Sequence, residues 1–221
     1  MCFSASVSFI TAGALTVIGL MSLYISRTHT ERLLSLTPIF FAAQQTCEGV
    51  LWLTLPAGNG FIAYLATYIY LFFVIIFWPL WMPIVVSFYE REWLRKIGMY
   101  LCAIAGACVA LYSLRALLIA GAHAEIEYHH IRYIFNLNAS LAFILLVNAL
   151  YCVATLIPLL ICSRPRVWIL GATLAASYVV SHIFYYACFT SVWCFFGALL
   201  SFLTLYIIYY NHTIENKHRE L

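Results

Sequence analysis

The residues best able to do chemistry here are a carboxylate, a few imidazoles and a thiol set in an otherwise apolar chain. In Phe41-Ala-Ala-Gln44-Gln45-Thr-Cys47-Glu48-Gly-Val-Leu-Trp52, spacings of three and four place Gln44 or Gln45, Glu48 and Trp52 along one helical face. Carboxylate, imidazole and thiolate together suit zinc or copper, so Cys2, Glu48, His130 and His182 are the expected metal ligands. A metal with an open coordination position activates water. Glu48, His130 and Cys2 would then be the catalytic residues of a membrane hydrolase acting on a lipid. If the ligand is instead a small molecule, the expected contacts are Gln44, Gln45, Trp52, Arg115, Tyr133, Tyr178 and Trp193.

Two other chemistries compete with this one. Arg115 falls at a depth comparable to Glu48 and is its natural ion-pair partner. Such a pair either fixes helix packing or switches, as in a transporter or sensor. No inverted repeat supports transport, and the last helix has no Lys for a retinal Schiff base. The cysteines offer a thiol-redox role. Cys47, Cys102, Cys108, Cys152 and Cys162 lie in apolar helices as packing residues, whereas Cys2, Cys188 and Cys194 fall on the outer side. A disulfide is expected there, Cys188 to Cys194 or Cys2 to Cys194, although no Cys-x-x-Cys motif is present. The segment Gly121-Ala-His-Ala-Glu-Ile-Glu-Tyr-His-His-Ile-Arg-Tyr133 adds His123, Glu125, Glu127, His129 and His130. As a helix it would bring Glu125 and His129 one turn apart; without a His-Glu-x-x-His pattern it reads as a solvated amphipathic loop.

The elements that must position these residues are membrane helices. Of 221 residues 65% are hydrophobic and 9% charged, far from the quarter typical of soluble domains. Apolar runs long enough to span a bilayer occupy 7–26, 33–55, 61–89, 97–120, 138–162, 167–188 and 191–210. The expected fold is all-α: one seven-helix transmembrane domain over residues 1–210, followed by a short cytoplasmic tail, 211–221. Charge asymmetry orients it. Arg27, Arg32, Arg91, Arg95, Lys96, Arg164, Arg166, Lys217 and Arg219, nine of the eleven basic residues, fall on one face, which is then cytoplasmic. The N-terminus is accordingly outside, and a multi-pass protein of the cell (inner) membrane is expected, with membrane lipids as its surroundings. The net charge of +3, with dispersed basic residues, argues against nucleic acid as a partner. The first segment lacks a basic n-region, so no cleaved signal peptide is expected. Pro79 and Pro83 should kink the third span.

Met1-Cys-Phe-Ser-Ala-Ser-Val-Ser-Phe9, Pro38 through Trp52 with its Gln-Gln-x-x-Glu-Gly segment, Trp78-Pro79, His130-Ile-Arg-Tyr133 and Ser191-Val-Trp-Cys-Phe-Phe196 together carry a likeness. The chain resembles an uncharacterised family of small polytopic membrane proteins that begin Met-Cys-Phe-Ser-Ala. The resemblance implies no activity. It marks Cys2, Ser4, Gln44, Gln45, Glu48, Trp52, His130, Tyr133, Trp193 and Cys194 as motif positions, all expected in the outer half.

Overall fold

Each long apolar run becomes a helix, and polar side chains at the breaks satisfy the free backbone groups at the helix ends. The computed structural model describes residues 4–127, 129–136, 139–164 and 166–219. Ser4 caps α1 (Ala5–Ile25) by accepting from the Val7 N–H. A capping box between Thr28 and Glu31 starts α2 (His29–Thr54) four residues earlier than hydropathy alone places it. Asn59 caps α3 (Gly60–Leu71), which runs through a π-helical turn (Phe72–Phe77) into α4 (Trp78–Tyr89) as one rod. Next come α5 (Trp93–Ile119), α6 (Leu141–Ile161, capped by Ser140) and α7 (Val167–Phe184). The last rod is a short 3-10 turn (Tyr186–Cys188) leading into α8 (Phe189–Leu200) and α9 (Phe202–Arg219).

Among the described residues this makes seven helical rods, six of them long and apolar enough to cross a membrane. The seventh, α2, is the polar one, and it is central. It packs against α1, α3, α4, α8 and α9, and Gln44, Gln45 and Glu48 on it are fully buried. Leucines and isoleucines such as Leu20, Ile104, Leu111 and Leu145 line the outside of the bundle. A polar helix wrapped by apolar ones is what a hydrocarbon solvent demands.

Among the described residues the fold departs from an all-helical chain in one place. Residues 122–135 form an antiparallel hairpin, β1 (Ala122–Glu127) with β2 (His130–Phe135), in the register Ala122↔Phe135 to Glu127↔His130. It is neither the irregular loop nor the helix considered from sequence. The segment alternates: Ala122, Ala124 and Ile131 are buried, while His123, Glu125 and Arg132 are exposed. Its β-branched and aromatic second strand suits a half-buried pleat. Glu125 and His129 therefore do not share a helical face; Glu125 instead pairs across the strands with Arg132.

The third rod is held by α5 and α6. Pro83 has no N–H for the Pro79 carbonyl, so that oxygen is left to face α5. Gly106 sits against it, and any Cβ at that position would overlap the carbonyl. At the end of the bundle that carries the basic turns, Glu90 ties two turns together. It accepts from the backbone N–H groups of Arg91 (2.6 Å), Glu92 (2.8 Å) and Ser163 (2.6 Å), and from the Ser163 hydroxyl.

Candidate functional site

Glu48 is the centre of the site. It lies on α2 about two turns from the end of the bundle capped by the hairpin, and it is fully buried. The Ser191 hydroxyl, in the first turn of α8, donates to Glu48 Oε1. Gln45 Nε2, one turn earlier on α2, donates to Oε2 at 3.3 Å. Glu48 is thereby joined to the first turn of α8. Gln44 faces α4, where Trp78 Nε1 donates to its Oε1 at 2.7 Å. Its side chain also lies against the Cys194 thiol, which Tyr70 approaches as well.

Several polar atoms here have no hydrogen-bond partner among the described residues: Gln44 Nε2, in spite of the neighbouring thiol, together with Gln45 Oε1, Trp52 Nε1 and Ser8 Oγ. Leaving such a group unpaired in the interior costs roughly 1 to 3 kcal/mol. They gather on or beside the part of α2 nearer the hairpin. Ser8 belongs to the turn of α1 whose Phe9 ring lies against Gly49. Beneath them a small cavity of about 30 Å3 is lined by Trp78, Tyr151, Trp193 and Cys194, room for a water or two.

The hairpin closes the site from above. The Tyr133 ring stacks on Tyr70 at 4.4 Å and 5°, while the Tyr70 hydroxyl donates to the Thr190 carbonyl at 3.4 Å. Ile131 is fully buried beneath the hairpin. One aromatic pair therefore joins α3, β2 and the first turn of α8.

The structure brings together only part of the set expected from sequence. Gln44, Gln45, Glu48, Tyr133 and Cys194 meet, with Trp52 one turn outward. Arg115 does not join them. It is exposed on the face of α5 that also carries Leu111, Leu114 and Leu118, whereas Arg132 of the hairpin pairs with Glu125 (3.9 Å) and Glu127 (3.2 Å). Arg115 lies four residues from the end of α5, about 6 Å along the axis, so its long side chain can reach the membrane surface. The Glu48/Arg115 pair is not formed.

His182 is likewise elsewhere. It is exposed on α7, stacked on Tyr178 with centroids 5.9 Å apart and edge-on to Tyr186 and Phe189. Tyr178 and Trp193 belong to that aromatic group, Trp193 donating to the Leu174 carbonyl at 3.4 Å. His130 sits on the hairpin against Tyr185; burial pushes its pKa below the ordinary value of 6.5, and neighbouring His129 adds to the effect. Cys2 lies outside the described residues. No group of three or more His, Cys, Asp or Glu side chains that could hold a metal ion occurs among the described residues. Cys188 and Cys194 are buried free thiols, so the expected disulfide through either of them is absent.

Ser191 was missed as a site residue because Phe189-Thr-Ser191 reads as a weakly polar break between spans. Only the finding that α8 starts at Phe189 turns its hydroxyl toward Glu48. No curated protein and no solved structure matches the chain. One family model does, over residues 1–219, described as a family of unknown function (DUF6629), and the chain belongs to that family.

Proposed function

We propose that this is a multi-pass membrane protein with its hairpin end outside and its basic turns in the cytoplasm, and that it binds a small polar ligand or metal ion at Glu48. The observation that carries the reading is the cluster of buried polar atoms without hydrogen-bond partners among the described residues, beside a fully buried carboxylate. Such a set is stabilised when a polar molecule or ion supplies the missing bonds. Positive-inside charge bias supports the orientation, because all the turns rich in Arg and Lys lie at the end opposite the hairpin. The carboxylate accepts, the Gln45 carbonyl oxygen accepts, and the Gln44 amide and Trp52 indole donate. A ligand with both donor and acceptor groups fits that pattern. The metal form of the reading, with zinc or copper and activated water, requires Cys2 to complete Glu48 and His130.

The test is thermal unfolding of the purified full chain against a panel of small polar solutes and divalent metals, with elemental analysis of the protein as isolated. Stabilisation by one of them that disappears in Glu48→Gln supports the site. A stoichiometric metal lost in Glu48→Gln selects the metal form. The absence of any stabilising solute and of any bound metal would sink the reading.

A further inference from the structure

A second cavity, of about 310 Å3, opens between α5 and α6 toward the hairpin end, within the size range of sites that hold small molecules. Among the described residues its lining is apolar except for Tyr112, Ser113 and Asn148, and none of them is Arg, Lys, His, Asp or Glu. Ser113 is 7% exposed, and its hydroxyl makes no hydrogen bond among the described residues. By contrast Ser22, Ser35 and Ser177 donate to carbonyl groups of their own helices. Ser113 therefore presents an unspent donor to the cavity.

The walls define what can enter. At one end α5 and α6 are joined by the edge-to-face pair Tyr112 and Phe143, with centroids 4.9 Å apart. At the other, Gly106 lies against the third rod and close to Ala154 of α6. The cavity extends from Tyr112 toward the hairpin, where Ser113, Ala116 and Phe135 line it. Ile144 and Asn148 at the mouth are exposed, and Leu111 and Leu145 beside it are exposed as well. In a bilayer this mouth opens sideways onto hydrocarbon, and a cavity without a cation cannot favour an ionised carboxylate.

We infer that this cavity binds the acyl chain of a membrane lipid, entering laterally between α5 and α6, with its ester carbonyl accepting from the Ser113 hydroxyl and the Asn148 amide. The inference rests on the membrane-spanning reading and is independent of the Glu48 site. The full chain is placed in nanodiscs of phosphatidylcholine doped with a phosphatidylcholine bearing a photoreactive acyl chain, and labelled peptides are mapped. Labelling should concentrate on residues 112–116 and 144–148, fall at least fivefold in Ala116→Trp, and stay unchanged on the α1 face around Val17 and Leu20. Glu48→Gln should leave the pattern intact. If Ala116→Trp does not fold, Ser113→Ala decides, with a drop of twofold or more expected. Added free fatty acid should not compete. Labelling spread evenly over all lipid-facing helices, insensitivity to the cavity variants, or competition by a free fatty acid alone would overturn it.

Discussion

The Tyr151 hydroxyl donates to the Val74 carbonyl oxygen at 2.8 Å, at a point where the helix holding Val74 has no donor of its own to offer. In an α-helix that carbonyl would take the N–H of residue 78, but the Trp78 N–H goes to Phe73 in the π-helical turn. The π-helical donor would be residue 79, and Pro79 has none. A side chain of α6 thus completes the third rod in mid-bundle, one residue from the cavity wall at Ile75 and one turn from the Trp78 that holds Gln44.

Tyr151→Phe should cost about 1 kcal/mol of stability, the usual net worth of one hydrogen bond. The loss should be smaller in a Pro79→Ala background, where residue 79 regains an N–H. Thermal unfolding of the two single variants and the double variant measures the difference; strictly additive effects would contradict this account.

Ser191→Ala removes a donor to a fully buried carboxylate and should destabilise by roughly 1 to 3 kcal/mol. In a Glu48→Gln background the same substitution should cost less, because the group left without a partner is no longer a carboxylate. A double-mutant cycle from detergent-solubilised protein checks the coupling.

Gly106→Ala should destabilise by roughly 1 to 3 kcal/mol by forcing α5 away from the Pro79 carbonyl. An alanine at Gly13, where a Cβ meets nothing, is the control; equal melting temperatures for the two variants would refute the close contact.

Glu90 fixes the acid limit of the basic end. Burial raises its pKa, but the Ser163 hydroxyl and the N–H groups of residues 92, 163 and 91 outweigh that and hold it at about 2, down from 4.5. A folded-state pKa below the unfolded one means that the unfolded chain binds the extra proton first. The stabilisation is therefore complete above pH 4.5 and is lost as pH falls toward 2. Glu90→Gln should remove that part of the acid dependence in melts between pH 5 and pH 3, so the variant's curve should be flatter than the parent's.

Much of the architecture was legible because hydropathy and basic turns act along the chain axis, and the depth of each residue follows from counting. Rotation about a helix axis is less accessible. Counting put Arg115 at a depth comparable to Glu48, but it could not show that Arg115 falls on the exposed Leu111, Leu114 and Leu118 face of α5. The face of α2 was readable, since Gln44, Gln45 and Glu48 are too polar to meet lipid, and all three are buried. His182 was misplaced for the same reason as Arg115: its aromatic neighbours suit a packed interior and an exposed stack equally well. The hairpin escaped because its alternation is short and lies in a chain whose other elements are helices. The π-helical turn has no compositional signature in Phe72–Phe77.

The central place of α2 bears on how the protein is made. A charged side chain costs up to about 3 kcal/mol at the middle of a span on insertion scales, and α2 carries Glu48 about two turns from its end together with Gln44 and Gln45. Alone it is a poor candidate to leave the translocation channel for lipid. Only residues 26–28 separate it from α1, the first helix against which it packs. Biogenesis should therefore release α1 and α2 as a pair, with α2 stabilised in the membrane only as α3, α4 and finally α8 arrive to cover its polar face. The Ser191 hydroxyl, nearly the last of these groups to be synthesised, would then mark the completion of assembly.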